Sequence, residues 1–585
     1  MNNKINTLIQ QGKFAQALGE FDKALKRTPR DSHLWSNRGI VLIRLGRLNE
    51  AKESFFESLK IEDNSQVERN LTNLLIQLNH LEEAQQLNNK QLAKDNNSAP
   101  ELLNAARIEA GLNKPQQAIS IYKKIIHLHP TYIQAYVGYG YLLNLQSQYS
   151  EAILINHKAL EIDSKCYPAM LNLGVAYNNA KDYKNAVKFL KLCTNSNRND
   201  LKAWLTLAGA QVKMYDTSGA RESIEVIHKI DPGNPLMKFQ QGALYLNERN
   251  YPAAKKEFED VININGDDVE AHFHLGLVLL GQKDYQNADK EFRFRTIRKN
   301  VKYGRFNDFD RKELNYDKPL LIGKEQGVGD EVLLSRLIPA LKNHVKKITY
   351  ICDDRLVNIF EKNYPSINII GESEYLRIEP DFDQWQKINL GTIFRYINKP
   401  LNEIQKIDKF EVDKESVTNI KKRLPNTNKP LIGISWKSKN ADIGQSKSLE
   451  LDELQEILVE KDYQYINLQY GDVEKEINTI SKKGINIYDD KNIDKFNDLD
   501  SLFAIASLCD VVVTTSNITA HIAGALKIKV FLILPKYRGR VWYWEDKKKS
   551  SWYPSIEIVE QENDGSWSDA ISSVKNKLKE MNLLA

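Results

Sequence analysis

Three short stretches in the second half of the chain carry residue types that could do chemistry together. The first is Lys324-Glu325-Gln326-Gly327-Val328-Gly329-Asp330-Glu331. Gly327 and Gly329 let backbone approach a ligand closely, and Asp330 stands at the mouth of the helix that should follow. Aspartate is also an ordinary helix cap, so this loop alone does not separate catalysis from capping. The second is Ser435-Trp436-Lys437-Ser438-Lys439 followed by Gln445-Ser446-Lys447-Ser448. Lysines and serines clustered after a strand suit the oxygens of a diphosphate, and a solvated lysine-rich loop would read the same way. The third is Thr514-Thr515-Ser516-Asn517-Ile518-Thr519-Ala520-His521-Ile522-Ala523-Gly524-Ala525-Leu526. Here hydroxyl and amide groups lead into a small-residue helix whose first free N–H groups form an anion site. His521 would either touch that anion or pack against a sheet.

These stretches need strands to present them. Leu320–Gly323, Lys347–Cys352 and Ile367–Ile370 read as strands of one series, and Glu331–Leu341 and Arg355–Lys362 as its helices. Leu431–Trp436, Tyr465–Leu468, Asp510–Thr514 and Val530–Leu534 read as strands of a second series. Its helices are Leu451–Val459, Leu499–Ser507, Thr519–Leu526 and Ser568–Lys579. Alternating strands and helices imply two parallel sheets with a cleft between them, over residues 319–400 and 430–585, joined by a polar linker at 401–429. Ligands of such sheets bind at the carboxyl ends of the strands, where all three stretches fall.

The first half has a different texture. Alanine recurs at positions 17, 51, 84, 118, 152, 186, 220, 254 and 288, in steps of 34 residues with one of 33. A small residue often precedes it by twelve, as at Gly39, Gly140, Gly174, Ala208, Gly242 and Gly276, and a bulky one follows by four, as at Phe21, Phe55, Tyr122, Phe258 and Phe292. The pattern resembles the tetratricopeptide repeat (TPR) over residues 1–295, about nine copies, with 296–318 as a linker. Paired helices cross where only Gly or Ala fits, and large residues fill the space between successive pairs. Asn88 and Asn156 replace the bulky residue, which predicts looser third and fifth repeats. Two residues before the small position lie Asn3, Asn37, Asn70, Asn104 and Asn172, a row able to hold an extended peptide by its backbone. Asparagine is also a common packing residue there. The basic stretch at 293–306 reads as a last helix running into the linker with its charges solvated.

Composition narrows the classes. The 585 residues hold 82 Lys+Arg against 77 Asp+Glu, a net charge of +5, too even for a dedicated nucleic-acid binder. Cys166, Cys193, Cys352 and Cys509 form no C-x-x-C pair, which argues against a disulfide framework or a structural zinc site. The opening MNNKINTLIQQGK lacks an apolar signal core, and no apolar run approaches the roughly 18–20 residues that span a bilayer. The expectation is a soluble cytoplasmic protein.

In order and spacing, the three loops resemble glycosyltransferase family 9, the heptosyltransferase-like family, over Pro319–Leu583. In that family a G-x-x-G-D loop opens the acceptor half, and a T-x-D-[ST]-x-x-x-H-[LI]-A-[GA]-A-L segment carries the donor phosphates. The tail from Leu534-Pro535-Lys536 through Trp542-Tyr543-Trp544 to Trp552-Tyr553-Pro554 is similar to the subgroup in which repeats precede the transferase. The layout also parallels O-GlcNAc transferases. The resemblance implies an α-helical TPR superhelix (α-solenoid) followed by an α/β GT-B domain with two Rossmann-like halves. It implies metal-independent, inverting transfer of a sugar from a nucleotide-sugar to a hydroxyl of a polypeptide or glycan acceptor, with no cofactor beyond that co-substrate. Asp330 would be the base, and Gly327, Gly329, Lys437, Lys447, Ser516, Asn517, Thr519 and His521 would bind the donor. Asn37, Asn70, Asn104 and Asn172 would hold peptide, and Trp542 and Trp544 would anchor the last helix.

Two departures matter. Ser516 stands where the family carries an acid, and the first half of the α/β region is short for a lipopolysaccharide-type acceptor site. Asp308-x-Asp310, Asp381-x-Asp383 and Asp498-x-Asp500 look like metal-binding pairs, but none follows a strand in the expected setting, so no metal is expected. The alternative reading is a peptide-binding TPR scaffold whose transferase domain is inactive.

Overall fold

The computed structural model describes the chain except residues 1, 299–305, 307–312, 326, 379–381, 383, 397–408, 441–442, 545–547, 563–564 and 582–585. Two compact units divide it, Met1–Pro232 and Gly233–Ala585.

The first unit is built of α-helices, from Asn2–Gln10 to Thr217–Ile230, in pairs such as Ser32–Arg44 and Leu48–Ile61. Close crossings set the pairing. A Cβ added to Gly39 would stand 2.8 Å from the Phe55 ring, and one on Gly174 would stand 2.6 Å from Leu190. Between the helices of each pair the chain turns through a left-handed residue: Gly12, Gly46, Asn79, Asn113, Ser147, Lys181 and Tyr215, with φ between 58° and 73°. The expected looseness holds at one asparagine crossing and not at the other: Asn88 Oδ1 is buried with no hydrogen-bond partner among the described residues, whereas Asn156 is tied on both sides. Asn156 is fully buried, donates to Ala152 O at 2.7 Å and accepts from Asn172 Nδ2 at 3.2 Å. Asn88, 1% exposed, donates to Glu101 O at 3.0 Å. Hydrogen bonds close the Asn156 crossing where apolar bulk closes others, such as Phe55 against Gly39, and they close the Asn88 crossing only in part.

The second unit opens with four more repeat helices, Pro235–Asn247, Tyr251–Ile264, Val269–Gly281 and Tyr285–Phe292. Strands follow: β1 (Leu320–Gly323), β2 (Ile348–Cys352), β3 (Asn368–Gly371), β4 (Gln386–Asn389), β5 (Leu431–Ser435), β6 (Gln464–Asn467), β7 (Ile487–Tyr488), β8 (Val511–Thr515), β9 (Lys529–Leu534) and β10 (Ile556–Glu560). They form two sheets, ordered β3-β2-β1-β4 and β10-β9-β8-β5-β6-β7, with every strand pair parallel. Renumbered within itself, the second sheet runs 3-2-1-4-5-6, the doubly wound order. Part of the expected linker is a helix instead. Lys414–Arg423 is capped by Asp413, which accepts from Ser416 N, and it buries Ile420.

The last repeats pack directly on this α/β body. Tyr285 stacks on Phe394 with ring centres 5.3 Å apart, and Trp552 meets both rings edge-on. Asp289 pairs with Arg395 at 2.8 Å, and Arg249 with Glu560 at 2.9 Å. Arg249 and Lys283 hold left-handed backbone, φ 60° and 65°, where the first repeats use glycine. A side chain there is disfavoured by about 1–2 kcal/mol, yet each reaches the body: Arg249 to Glu560, Lys283 to Ser551 at 2.7 Å. The charges of 293–306 are not all solvated as expected. Arg293–Ile297 is a 3₁₀ turn, and Arg295 within it is 1% exposed and pairs with Glu325.

A fragment beginning at Gly233 should therefore unfold cooperatively, whereas one beginning at Pro319 strips the partners from Arg395, Glu325 and Phe394. Orphaning one side of a buried pair costs about 3–5 kcal/mol. Thermal melts by circular dichroism should show the shorter fragment unfolded or at least 15 °C less stable; equal melting temperatures would contradict this packing.

Candidate functional site

Strands β5 and β8 are neighbours in the second sheet, and the chain leaves them in opposite directions, β5 toward β6 and β8 toward β9. Their carboxyl ends thus border a crevice, the place where parallel sheets bind ligands. Asn517 spans it. Its amide nitrogen donates to Ser435 Oγ at 2.8 Å and Lys437 O at 3.1 Å, while its oxygen caps the helix Ile518–Ala525 by accepting from Thr519 N at 2.9 Å. Gln469, just past β6, accepts from Trp436 N at 2.8 Å and Lys437 N at 2.7 Å.

Several expected donor contacts are therefore already occupied. Asn517 is a clamp with both ends of its amide in use. Ser516, 1% exposed, accepts from the buried Trp544 indole at 3.1 Å. Trp544 accordingly anchors this loop rather than the last helix. Lys437 is corrected as well: its ammonium lies 2.9 Å from Glu450 and 3.0 Å from Glu476, a carboxylate also held by the Trp436 indole.

Lys447 and Thr519 differ. Thr519 is fully buried in the first turn of its helix, and its Oγ1 has no hydrogen-bond partner among the described residues. Lys447 is 6% exposed, its carbonyl held by Thr515 Oγ1 and its backbone backed by Gly539. Gly539 has φ +83°, and a Cβ there would stand 3.3 Å from Lys447 Cβ. Among the described residues no carboxylate lies within ion-pair distance of the Lys447 ammonium. Burial lowers its pKa to about 8, opposed by the charge of Asp330.

Asp330 belongs to the helix Val328–Ser335, which begins just beyond β1. It serves as the cap-box acid, accepting from Gly327 N at 3.2 Å, and it also accepts from the Tyr543 hydroxyl. Burial raises its pKa, against the pull of the Gly327 N–H, the Tyr543 hydroxyl and Lys447. Gly329 touches the other half: a Cβ there would meet His521 Cδ2 at 2.9 Å. His521 is 2% exposed among Tyr543, Trp544 and Tyr553, and Tyr553 lies 3.3 Å from its Nδ1. Burial, reinforced by the nearby Lys447 charge, lowers its pKa to about 3, so a charged imidazolium contact to an anion is not available. His521 joins the two halves as a neutral ring. Sequence reasoning missed Tyr543, Tyr553, Arg295 and Glu325; the Trp-Tyr-Trp cluster beside a polar loop was the available signal for Tyr543.

A polar hollow of about 620 Å³, lined by Glu313, Lys318, Trp385 and Gln386 among others, opens at the amino ends of β1 and β4. It is far along the strands from this chemistry, and parallel sheets do not present ligand loops there. Asp498 and Asp500 are used locally, accepting from Ser501 N at 2.9 Å and Asn358 Nδ2 at 2.6 Å. The other two D-x-D pairs lie outside the described residues. Among the described residues no cluster of three or more His, Cys, Asp or Glu is arranged for a metal, and no helix is long and apolar enough to cross a membrane.

In the first unit the asparagine row divides. Asn37 is exposed; Asn70 is half-buried and accepts from Gln66 at 3.1 Å. Asn104, 2% exposed, and Asn172, 9% exposed, are packed between helices, so neither offers an open rung. Asn172 donates to Val137 O of the preceding repeat at 3.1 Å and to Asn156. A uniform ladder is thus corrected to two accessible amides, because this position reaches across to the neighbouring helix once a polar crossing invites it.

Family models of the tetratricopeptide repeat match residues 2–66 and 239–292, and 167–200. These stretches of the helical part are TPR repeats. Protein FlbA of Caulobacter vibrioides is 25% identical over 280 residues, 45% of this chain and 46% of that protein. Human protein O-mannosyl-transferase TMTC3 is 23% identical over 265 residues, 44% of this chain and 29% of that protein. Anaphase-promoting complex subunit 3 of Schizosaccharomyces pombe is 22% identical over 176 residues, 30% of this chain and 26% of that protein. The chain spans less than half the length of each. Among solved structures, the Cut9–Hcn1 hetero-tetramer aligns with 15% identity and TM-score 0.38, covering 48% of this chain and 56% of that one. The TPR protein YrrB aligns with 22% identity and TM-score 0.29, covering 32% and 95%.

Two outcomes follow from the geometry. With its pKa lowered to about 8 by burial, Lys447 should lose its proton above that pH, so affinity for inorganic phosphate, whose own charge is constant there, should fall by about tenfold per pH unit between about 8 and 10. In Lys447→Arg the fall should vanish; calorimetric titration across that range checks it, and a pH-independent wild type would remove Lys447 from the site. In the repeats, Asn172→Ala leaves Asn156 Oδ1 buried without a donor and should cost about 1–3 kcal/mol by denaturant unfolding, while Asn37→Ala should stay within about 0.5 kcal/mol.

Proposed function

We propose that the chain is a glycosyltransferase that moves a sugar from a nucleotide-sugar to an acceptor hydroxyl, with a GT-B arrangement of its two sheets and a family 9-like site. The observation that carries this reading is the pair at the β5–β8 crevice: a buried lysine with no carboxylate within ion-pair distance among the described residues, and a buried threonine hydroxyl, unpartnered among the same residues, at a helix amino end. Both suit a diphosphate.

The chemistry is then simple to place. The Asp330 carboxylate, its pKa raised by burial, takes the proton of the acceptor hydroxyl as that oxygen attacks the anomeric carbon. The bond to the diphosphate breaks on the opposite face, giving inversion, and the departing charge is met by Lys447, Thr519 and the first turn of Ile518–Ala525. No metal enters this scheme. Asn37 and Asn70 make a polypeptide the favoured acceptor or partner, and the name of the human relative, a protein O-mannosyl-transferase, belongs to the same reaction class. All four cysteines are buried thiols, which suits the cytoplasm.

The second reading is a peptide-binding scaffold with an inactive transferase domain. Ser516 in place of an acid favours it, as does the structural use of Asp330 as a helix cap.

Thermal-shift screening of the full chain against UDP-, GDP-, ADP- and CMP-sugars should find a stabilising donor. With that donor, Asp330→Asn should lower turnover by about 10²–10⁴ while leaving donor affinity nearly unchanged. Indifference to every donor would favour the scaffold, and activity within a factor of about five of wild type would remove Asp330 from the mechanism.

A further inference from the structure

The helix Tyr285–Phe292 of the last repeat runs straight into the 3₁₀ turn Arg293–Ile297. The turn carries Arg295 inward, its guanidinium 4.7 Å from the centre of the Phe292 ring. Its Nε and Nη2 both bond Glu325, the latter at 2.9 Å, in a two-pronged pair. Nη2 also donates to Thr392 Oγ1 at 3.1 Å, and Nη1 to Phe292 O at 3.2 Å. Glu325 in turn accepts from Gly391 N at 2.8 Å. The fit is tight: a Cβ on Gly391 would stand 2.8 Å from Glu325 and 2.9 Å from Arg295.

Glu325 is the second residue beyond β1, on the loop that leads to Gly327 and Asp330. Gly391 and Thr392 follow β4, the strand beside β1. One side chain from the repeats therefore fixes the chain leaving both strands. A buried ion pair is a poor net stabiliser compared with apolar packing, and its best-attested use is to select one geometry. Lysine could supply the charge but not the fork.

We propose that Arg295 is a positioning residue through which the end of the repeat array sets the β1 loop and hence the Asp330 carboxylate. The part naming Asp330 as the target rests on the function proposed above; the part naming the loop does not. The repeats are then a component of the site. The charge of Glu325 is also felt at Asp330, where it raises the pKa, so Arg295 shields the base as well as placing it.

The test uses the full chain with Arg295→Met, Arg295→Lys and the double change Arg295→Met/Glu325→Met, which removes both buried charges and keeps the fold measurable if the single variant does not fold. Hydrogen-exchange mass spectrometry should show peptides spanning 320–335 exchanging at least tenfold faster in every variant, with those of β5, β8 and β9 unchanged. In transfer assays kcat should fall by about 10²-fold, the scale of an ångström-sized misplacement, while affinity for the nucleoside diphosphate stays within about twofold. The acid limb of kcat should move to higher pH in Arg295→Met, where Glu325 is left unshielded, and return in the double variant. Unchanged protection of 320–335 in the folded double variant would overturn the proposal, as would a loosened loop with undiminished kcat. If the wild type accepts no donor, the glycosyltransferase reading fails while the exchange measurement still decides whether Arg295 holds the loop.

Discussion

Two parallel strands that lie side by side but send their chains in opposite directions leave a gap that side chains must fill or a ligand must occupy. Everything at the candidate site follows from that constraint at β5 and β8. Asn517 closes the back of the gap by bonding both flanking loops, and Gln469 satisfies the N–H groups leaving β5. Trp544 turns Ser516 into a packing contact. Beside them stand two buried polar groups, the Thr519 hydroxyl, unpartnered among the described residues, and the Lys447 ammonium, whose pKa burial lowers to about 8. Keeping a lysine so enclosed is unfavourable, and the charge of Asp330 offsets only part of that cost, since the pKa still falls to about 8.

The opposite wall of the site is held by close contacts from several elements. Gly329 has no side chain because the His521 ring occupies the space. Arg336, at the end of the Asp330 helix, donates to Trp552 O at 2.7 Å and lies over Tyr553, so that helix is tied to the second sheet's tail at both ends. Arg295 ties its approach loop to the repeats. Rigidity of this kind is what general-base chemistry needs, since a carboxylate must sit within hydrogen-bond reach of the proton it takes.

Much of this was legible in the residues, and the remainder was hidden for definite reasons. The 34-residue alanine period marks the repeats, and the apolar runs mark seven of the ten strands among the described residues to within a residue or two. Strand β4 was hidden because Gln386 and Asn389 look solvent-facing, whereas Gln386 binds the carbonyls of Asn315 and Lys318. β7 is two residues long, too short for any pattern. The two loops with unspent groups, around Lys447 and Thr519, were recognisable from residue type and from their place after strands. Which of the neighbouring polar residues were already committed was not recognisable, because Lys437 with Glu476 and Ser516 with Trp544 are partners brought together only by the tertiary fold. The same holds for Arg295, a cation in a basic stretch whose acid lies 30 residues onward.

The central claim is that the β5–β8 crevice seats a nucleoside diphosphate, and a crystal structure of the full chain with the stabilising nucleoside diphosphate tests it most directly. The account predicts phosphate oxygens within hydrogen-bond distance of Lys447 Nζ and Thr519 Oγ1, at the amino end of Ile518–Ala525, with the open side of the phosphate facing Asp330. Density for the diphosphate in the polar hollow beside Trp385, or a crevice that stays closed with Lys447 newly paired to a carboxylate at saturating ligand, would contradict it.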